Sequence, residues 1–350
     1  MKKQKIGIMT FHNADNLGAV LQAYALQRVL EESCAVSAEV IDYRCPAIEE
    51  TKKAKYGSHL FSYLKALPKN VYYGIKHRGF EKFRRKFLNR SEKTYTELTI
   101  ADSVPLYDAY ITGSDQVWNP ECSGWDDAYF LNFASDKQKK YSYAASLGTY
   151  HYKKDEYSRY QKLLERFDRI SVRECSAVEE LKKLGIDGVE VCPDPVFLLP
   201  AEYWRKIMSK RLCSKRYVLV YLVLPDVNVM NSAREYARKN NCKLICNKKS
   251  IEFILHNSPR EFLSWVYYAD CIFTNSFHGT VFSLLFNKPL AADIELLDSG
   301  INNRVEEILL SVGAKHCIIP GDAQPGNALE KIDLMRRNAI NYLRKICEEV

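Results

Sequence analysis

The sequence predicts an α/β protein of two halves, each a parallel sheet layered with helices, with a cleft between them. Three observations carry this expectation. Apolar strand-like runs alternate with helical patterns along the chain, the mark of helices packed on parallel sheets. Three prolines crowd the run Cys192-Pro193-Asp194-Pro195-Val196-Phe197-Leu198-Leu199-Pro200, where lost backbone donors break regular structure and mark a linker. The chain has 350 residues, about two domains at roughly 150 residues each.

The elements follow in order. Ile6–Phe11 reads as a first strand, Leu17–Glu31 as its helix with apolar Val20, Leu21, Tyr24, Leu26 and Leu30, and Val40–Tyr43 as a second strand. A basic helical region comes next. Residues 51–100 hold 13 lysines and arginines against 3 glutamates, a net +10, in a chain whose total is +8. Phe80, Phe83 and Phe87 within it are spaced as one helix face. Ala109–Thr112, Lys140–Ala144 and Arg169–Val172 are strands, with a helix over Lys154–Phe167 between the last two. Ala177–Leu184 is a helix closed by Gly185, and Val189–Cys192 is a strand. Past the prolines the alternation restarts. Tyr217–Leu224, Lys243–Cys246, Cys271–Thr274, Leu290–Ile294 and His316–Ile319 are strands. Asn228–Lys239, Pro259–Tyr268, Thr280–Phe286, Arg304–Val312 and Leu329–Glu349 are helices. The expected division is an N-terminal α/β domain over 1–195, a C-terminal α/β domain over 196–325, and a C-terminal helix over 326–350 that packs back on the first domain.

Composition excludes several classes. Hydrophobic residues at 47% and charged residues at 27% rule out a disordered, collagen-like or coiled-coil chain. Apolar runs such as Tyr217–Leu224 are far shorter than the ~20 residues of a membrane-spanning helix. The basic-then-apolar start is cut by His12, Asn13, Asp15 and Asn16 and is not expected to be a secretory signal. The eleven cysteines are odd in number and form no CxxC pair. They read as reduced thiols of a cytoplasmic protein, not as a disulfide frame or zinc site. No metal is expected, since there is no DxD triplet and no ligand-spaced histidine cluster. No nucleic-acid motif accompanies the basic segment, which reads first as an amphipathic helix with its aromatics inward and its lysines in water. Its functional alternative is docking on an anionic membrane or polyanionic substrate.

Four segments at strand ends carry the candidate chemistry. In Thr10–Ala19, Asn13, Asp15 and Asn16 are placed to cap a helix and Gly18 permits close approach, although no GxGxxG fingerprint is present. In Gly113–Pro120, Asp115 and Gln116 sit where a loop would line a cleft and meet sugar hydroxyls. Ser171-Val172-Arg173-Glu174 places an arginine fit to clamp a carboxylate or phosphate, or to form an ion pair with Glu174. Thr274-Asn275-Ser276-Phe277-His278-Gly279-Thr280 puts a histidine at a helix start, where backbone amides favour phosphate and an imidazole exchanges a proton near neutrality.

Taken together, these segments resemble the polysaccharide pyruvyl transferase family. The matching stretches are Asn16-Leu-Gly-Ala-Val-Leu-Gln-Ala-Tyr-Ala-Leu, Gly113-Ser-Asp-Gln-Val-Trp-Asn-Pro, Tyr143-Ala-Ala-Ser-Leu-Gly, Ser171-Val-Arg-Glu, Asp194-Pro-Val-Phe-Leu-Leu and Thr274-Asn-Ser-Phe-His-Gly-Thr, in the expected order. The resemblance implies two Rossmann-like domains facing a cleft, in a glycosyltransferase-B-like pair. It implies transfer of a pyruvyl group from phosphoenolpyruvate to two hydroxyls of a sugar, in a polysaccharide or lipid-linked oligosaccharide, giving a cyclic ketal and phosphate without a cofactor. His278 is the expected acid/base group and Arg173 a donor-anion contact. Ser276 and the amides of Gly279 and Thr280 are expected to hold phosphate beside Asn275, with Arg304 as a second cation. Asn13, Asn16, Gly18, Asp115 and Gln116 are expected on the acceptor side in the N-terminal domain, Asp115 as the base. A nucleotide-sugar-dependent glycosyltransferase of similar fold is the enzymatic alternative. A non-catalytic glycan- or polyanion-binding protein is the other. An enzyme acting on a lipid-linked acceptor would work from the cytoplasm at the membrane periphery, where the basic segment meets anionic lipid.

Overall fold

The first sheet is fully parallel. Its strands are β1 (Lys5–Met9), β2 (Ser37–Tyr43), β3 (Arg90–Tyr95), β4 (Ala109–Thr112) and β5 (Lys139–Ser142), in the order β3-β2-β1-β4-β5. Every residue of β4 and four of the five of β1 are buried, as expected of parallel strands covered on both faces. Gly7 is required in β1, because a Cβ there would lie 2.5 Å from the ring of buried Tyr107. β1 ends two residues before the predicted limit. Thr10 turns away and its hydroxyl donates to the Ser114 carbonyl at 2.9 Å.

Sequence reasoning missed β3. The segment Arg-Ser-Glu-Lys-Thr-Tyr buries only Ser91 and Tyr95 and lies at the sheet edge, where charged side chains discourage further pairing. Two short strands, β6 (Ser171–Val172) and β7 (Glu190–Val191), pair with each other, and single bridges from Arg169 and Val172 reach Tyr141 and Ala145. Gly185, with φ +76°, terminates the Cys175–Lys183 helix as predicted.

The second sheet is also parallel: β8 (Tyr217–Tyr221), β9 (Lys243–Cys246), β10 (Cys271–Thr274) and β11 (Leu290–Ala292), in the order β11-β10-β8-β9. The predicted strand His316–Ile319 is corrected to a 3₁₀ turn, Lys315–Cys317, with only Ile318 bridging to Ala292. The amides of Cys317 and Ile318 bond back to Ala314 and Lys315, so they are not offered to β11.

This computed structural model describes residues 3–52, 60–294, 303–319 and 328–350. The chain forms two compact units, one of residues 1–53, 84–198 and 336–350, the other of residues 54–83 and 199–335. The division thus falls at 198/199, and part of the basic segment belongs to the second unit. The end of the Ala328–Glu348 helix rests on the first unit. Tyr342 donates to the Ser142 carbonyl at 3.0 Å and Arg336 to the Phe197 carbonyl at 2.7 Å.

Within the basic segment lies one long helix, Leu60–Phe87. Phe80 and Phe83 are buried, and the Phe87 ring sits 5.9 Å from that of Tyr24, as the aromatic spacing predicts. Arg84 shares the buried face, which the charge pattern did not reveal. It is 0% exposed and donates to the carbonyls of Asn13 and Ala14 and to Asp15 at 2.9 Å, so it braces the loop after β1. Among the described residues no helix is long and apolar enough to cross a membrane.

Each sheet has one place where the strand order reverses: between β1 and β4 in the first and between β8 and β10 in the second. Ligands of open α/β sheets bind outside the strand ends at such a point. Substituting Gly7→Ala pushes a methyl into Tyr107 and is expected to destabilise the protein by about 1–3 kcal/mol, seen as a lower urea midpoint. An unchanged midpoint would contradict this packing.

Candidate functional site

In the second unit, the segment after β10 is shaped by its own side chains. The Thr274 hydroxyl donates to the Tyr221 carbonyl at 2.5 Å and accepts from the Ser276 amide at 3.0 Å. The Asn275 amide spans the chain after β8, accepting from Val223 N at 2.9 Å and donating to the Leu224 carbonyl at 3.0 Å. Asn275 therefore fastens the two strand ends that flank the switch point.

The following helix is Phe277–Leu285, three residues longer at its start than predicted. Ser276 is its N-cap and accepts from the Gly279 amide at 3.3 Å, while the Thr280 amide bonds to the Ser276 carbonyl at 2.9 Å. Those two amides and the Ser276 hydroxyl thus serve the helix's first turn, and His278 lies inside that turn. Gly279 is needed for packing, since a Cβ would lie 2.5 Å from Thr274 Oγ1. The buried Thr280 Oγ1 has no hydrogen-bond partner among the described residues.

Phe277 and His278 are half-buried. Their rings stand edge to face with centroids 5.1 Å apart, and the Arg304 guanidinium lies 5.8 Å from the Phe277 centroid. The structure therefore gathers His278, Phe277 and Arg304 at a helix N-terminus, where the peptide dipoles favour an anion. A proton-exchanging imidazole, a permanent cation and a positive helix end form a constellation suited to phosphate chemistry.

In the first unit, Arg173 sits in a different environment. It is 8% exposed and donates to Asp194 Oδ2 at 2.9 Å and Ser146 Oγ at 3.0 Å, with Glu174 Oε2 at 3.6 Å. Burial works against its charge, and Asp194, Glu174 and Asp115 outweigh that, so its pKa is raised. Glu174 in turn accepts from Ser146 Oγ at 2.9 Å, Leu147 N at 2.9 Å and Gly148 N at 3.2 Å. Asp194 also accepts from Val196 N at 3.1 Å. Ser146 and Asp194 are site-shaping residues that sequence reasoning did not single out, while Glu174 is the ion-pair partner that it offered as the alternative for Arg173. Their signal was present, since each lies in one of the stretches that carry the resemblance. Three separate stretches meet in this one buried ionic cluster.

The predicted acceptor-side residues divide in two groups. Asn16 caps the Leu17–Ser33 helix, accepting from Gly18 N at 2.8 Å, and Gly18 is buried within that helix. Asn13 is buried, with its amide nitrogen donating to Glu49. Its Oδ1 has no hydrogen-bond partner among the described residues. Asp115 and Gln116 are half-buried. Asp115 holds a left-handed backbone at φ +78°, an uncommon conformation for a non-glycine residue, and its carboxylate accepts from Gln116 N at 2.9 Å. Gln116 Oε1 accepts from Asn119 Nδ2 at 2.9 Å. His12, the other histidine at a strand end, is wholly buried with Nε2 at 2.9 Å from Asp42, a core contact. Among the described residues no cluster of three or more His, Cys, Asp or Glu side chains is placed to hold a metal.

The profile of the family described as polysaccharide pyruvyl transferase matches residues 16–292, most of the chain, and takes in both the Arg173 cluster and the His278 segment. The chain belongs to the polysaccharide pyruvyl transferase family. This pyruvyl transferase family member is accordingly a transferase. No curated protein matches it. Among solved structures it is similar to the UDP-GlcNAc 2-epimerase of Methanocaldococcus jannaschii, with 14% identity, 96% of this chain and 93% of that chain covered, and a TM-score of 0.46. It is similar to the UDP-N-acetylglucosamine 2-epimerase of Rickettsia bellii, with 10% identity, 100% and 95% covered, and a TM-score of 0.45. It is also similar to the ADP-heptose lps heptosyltransferase II of E. coli, with 12% identity, 95% and 99% covered, and a TM-score of 0.39.

Removing Asp194 would leave the Arg173 guanidinium buried with part of its charge unmatched. Asp194→Ala is expected to destabilise the first unit by about 3–5 kcal/mol, read as a loss of thermal or urea stability. A variant as stable as the parent would show that the cluster is not structural.

Proposed function

We propose that this transferase moves the pyruvyl group of phosphoenolpyruvate onto two hydroxyls of a sugar, in a polysaccharide or a lipid-linked oligosaccharide, forming a cyclic ketal and releasing phosphate. The observation that carries the reading is the grouping of His278, Phe277 and Arg304 at one helix N-terminus within a chain of this family.

Phosphoenolpyruvate presents a phosphate, a carboxylate and a methylene carbon. The reaction adds a proton to the methylene, develops positive charge on the central carbon, joins that carbon to two acceptor oxygens and breaks its bond to phosphate. Of the two hydroxyl protons lost, one balances the new methyl group and the other leaves with phosphate. In this reading His278 delivers the proton to the methylene carbon or to the departing phosphate. Arg304 and the first turn of the Phe277–Leu285 helix bind the anionic groups, while Phe277 holds the histidine and arginine in place. Thr274, Asn275, Ser276 and Gly279 fix the shape of this turn and do not each supply a ligand.

Arg173 takes the part of a positioning residue. Its near neighbours Asp194, Glu174 and Asp115 carry more negative charge than it carries positive, an environment that disfavours a further anion. Asp115 and Gln116, half-buried at the first sheet's switch point, are offered to acceptor hydroxyls, with Asp115 as the base.

A single positioned acid contributes about 10²–10⁴-fold. His278→Ala is therefore expected to lower phosphate release from phosphoenolpyruvate, in the presence of galactose-, mannose- or glucosamine-containing acceptors, by about that factor with unchanged thermal stability. An equally active variant would exclude His278 as the acid. In the wild-type protein, phosphoenolpyruvate is expected to raise the melting temperature. Stabilisation by nucleotide sugars and not by phosphoenolpyruvate would replace this reading with glycosyl transfer.

A further inference from the structure

The chain's positive charge is concentrated where the fold exposes a helix face. At 100° per residue, Val71, Arg78, Lys82 and Arg85 fall on one side of the Leu60–Phe87 helix, opposite buried Phe80, Phe83 and Arg84. All four are exposed, and so is Lys86. Val71 is 55% exposed.

Residues 60–83 of this helix belong to the same unit as a second, shorter helix, Ile251–Leu255, and Gly79 packs against Ser258, three residues past the end of that helix. A Cβ on Gly79 would lie 2.8 Å from Ser258 Cβ. On the short helix, Ile251 and Leu255 are one turn apart and 60% and 48% exposed, while Phe253 between them is buried. Exposed Lys248 and Lys249 precede it. Among the described residues no ion pair neutralises Arg78, Lys82, Lys248 or Lys249.

We propose that these two helices form a docking surface for an anionic lipid bilayer. The combination of side chains decides for a bilayer over other polyanions. The unneutralised cations Arg78, Lys82, Lys248 and Lys249 are attracted to any dense negative surface, but exposed Val71, Ile251 and Leu255 gain nothing from a hydrophilic polymer. At a bilayer the cations meet phosphate headgroups while the apolar side chains enter the headgroup boundary. The proposal goes beyond the chemistry assigned to His278 and does not need it, although a membrane location suits a lipid-linked acceptor.

The test is cosedimentation of the full chain with vesicles of phosphatidylcholine alone and of phosphatidylcholine mixed with phosphatidylglycerol, at low and high salt. Binding is expected to the mixed vesicles at low salt, and loss at high salt. Each basic residue near such a surface contributes about fivefold in affinity, so the double variant Arg78→Glu with Lys82→Glu should bind at least about 25-fold more weakly. The double variant Ile251→Ser with Leu255→Ser should also bind the vesicles more weakly while keeping its affinity for heparin. All four positions are on the surface, and circular dichroism checks that the variants fold. Pyruvyl transfer to a water-soluble acceptor should be the same for all, which separates failure of docking from failure of the enzymatic reading. No binding to anionic vesicles at low salt, equal binding to neutral vesicles, or binding of heparin in place of vesicles would overturn the proposal.

Discussion

A buried guanidinium cannot persist without carboxylates around it, and Arg173 shows how much structure follows from that constraint. Its pairing with Asp194 at 2.9 Å holds the turn that leaves β7, and its contact with Ser146 holds the turn that leaves β5. Glu174 then gathers the amides of Leu147 and Gly148. Removing any one carboxylate would strand charge in a nearly dry environment, so these turns are fixed together. The same pairing sets the chemistry. A guanidinium already matched by Asp194 and Glu174, with Asp115 near, gains little from a substrate carboxylate. The anionic donor proposed above would therefore need another home.

The second unit offers one by a different device. There the anion-favouring element is a helix start, made by capping and close packing rather than by buried ion pairs. Gly279 lets the helix approach β10, Ser276 caps it, and Asn275 fastens it to the end of β8. The histidine and Arg304 share the Phe277 ring as a common support. The His278 loop thus follows β10 at the second sheet's switch point, whereas the carboxylate-rich Arg173 cluster joins the turns that follow β5, β6 and β7.

Much of this was legible in the sequence. β4, β9, β10 and the Pro259–Tyr268 helix have the predicted limits, because short apolar runs and capping residues are local signals. The segments at the strand ends were likewise recognisable. What escaped was set by contacts distant in the chain. Arg84 is 71 residues from Asn13, and its burial could not be told from the wetted cations around it. Arg173 and Asp194 are 21 residues apart, so the arginine's free and paired readings were equal until the fold brought the carboxylate to it. β3 was invisible because an edge strand can be as polar as a loop. The start of the His278 helix was set by a Ser276 cap that looked, from sequence, like a ligand for phosphate.

The decisive measurement is calorimetric titration of phosphoenolpyruvate into the Arg304→Met and Arg173→Lys variants beside the wild-type protein. A charge-assisted contact of about 1.5–3 kcal/mol predicts that Arg304→Met weakens binding roughly 10- to 100-fold, while folded Arg173→Lys keeps near-native affinity. Native affinity in Arg304→Met together with lost binding in a folded Arg173→Lys protein would contradict the account and return the donor to the first unit.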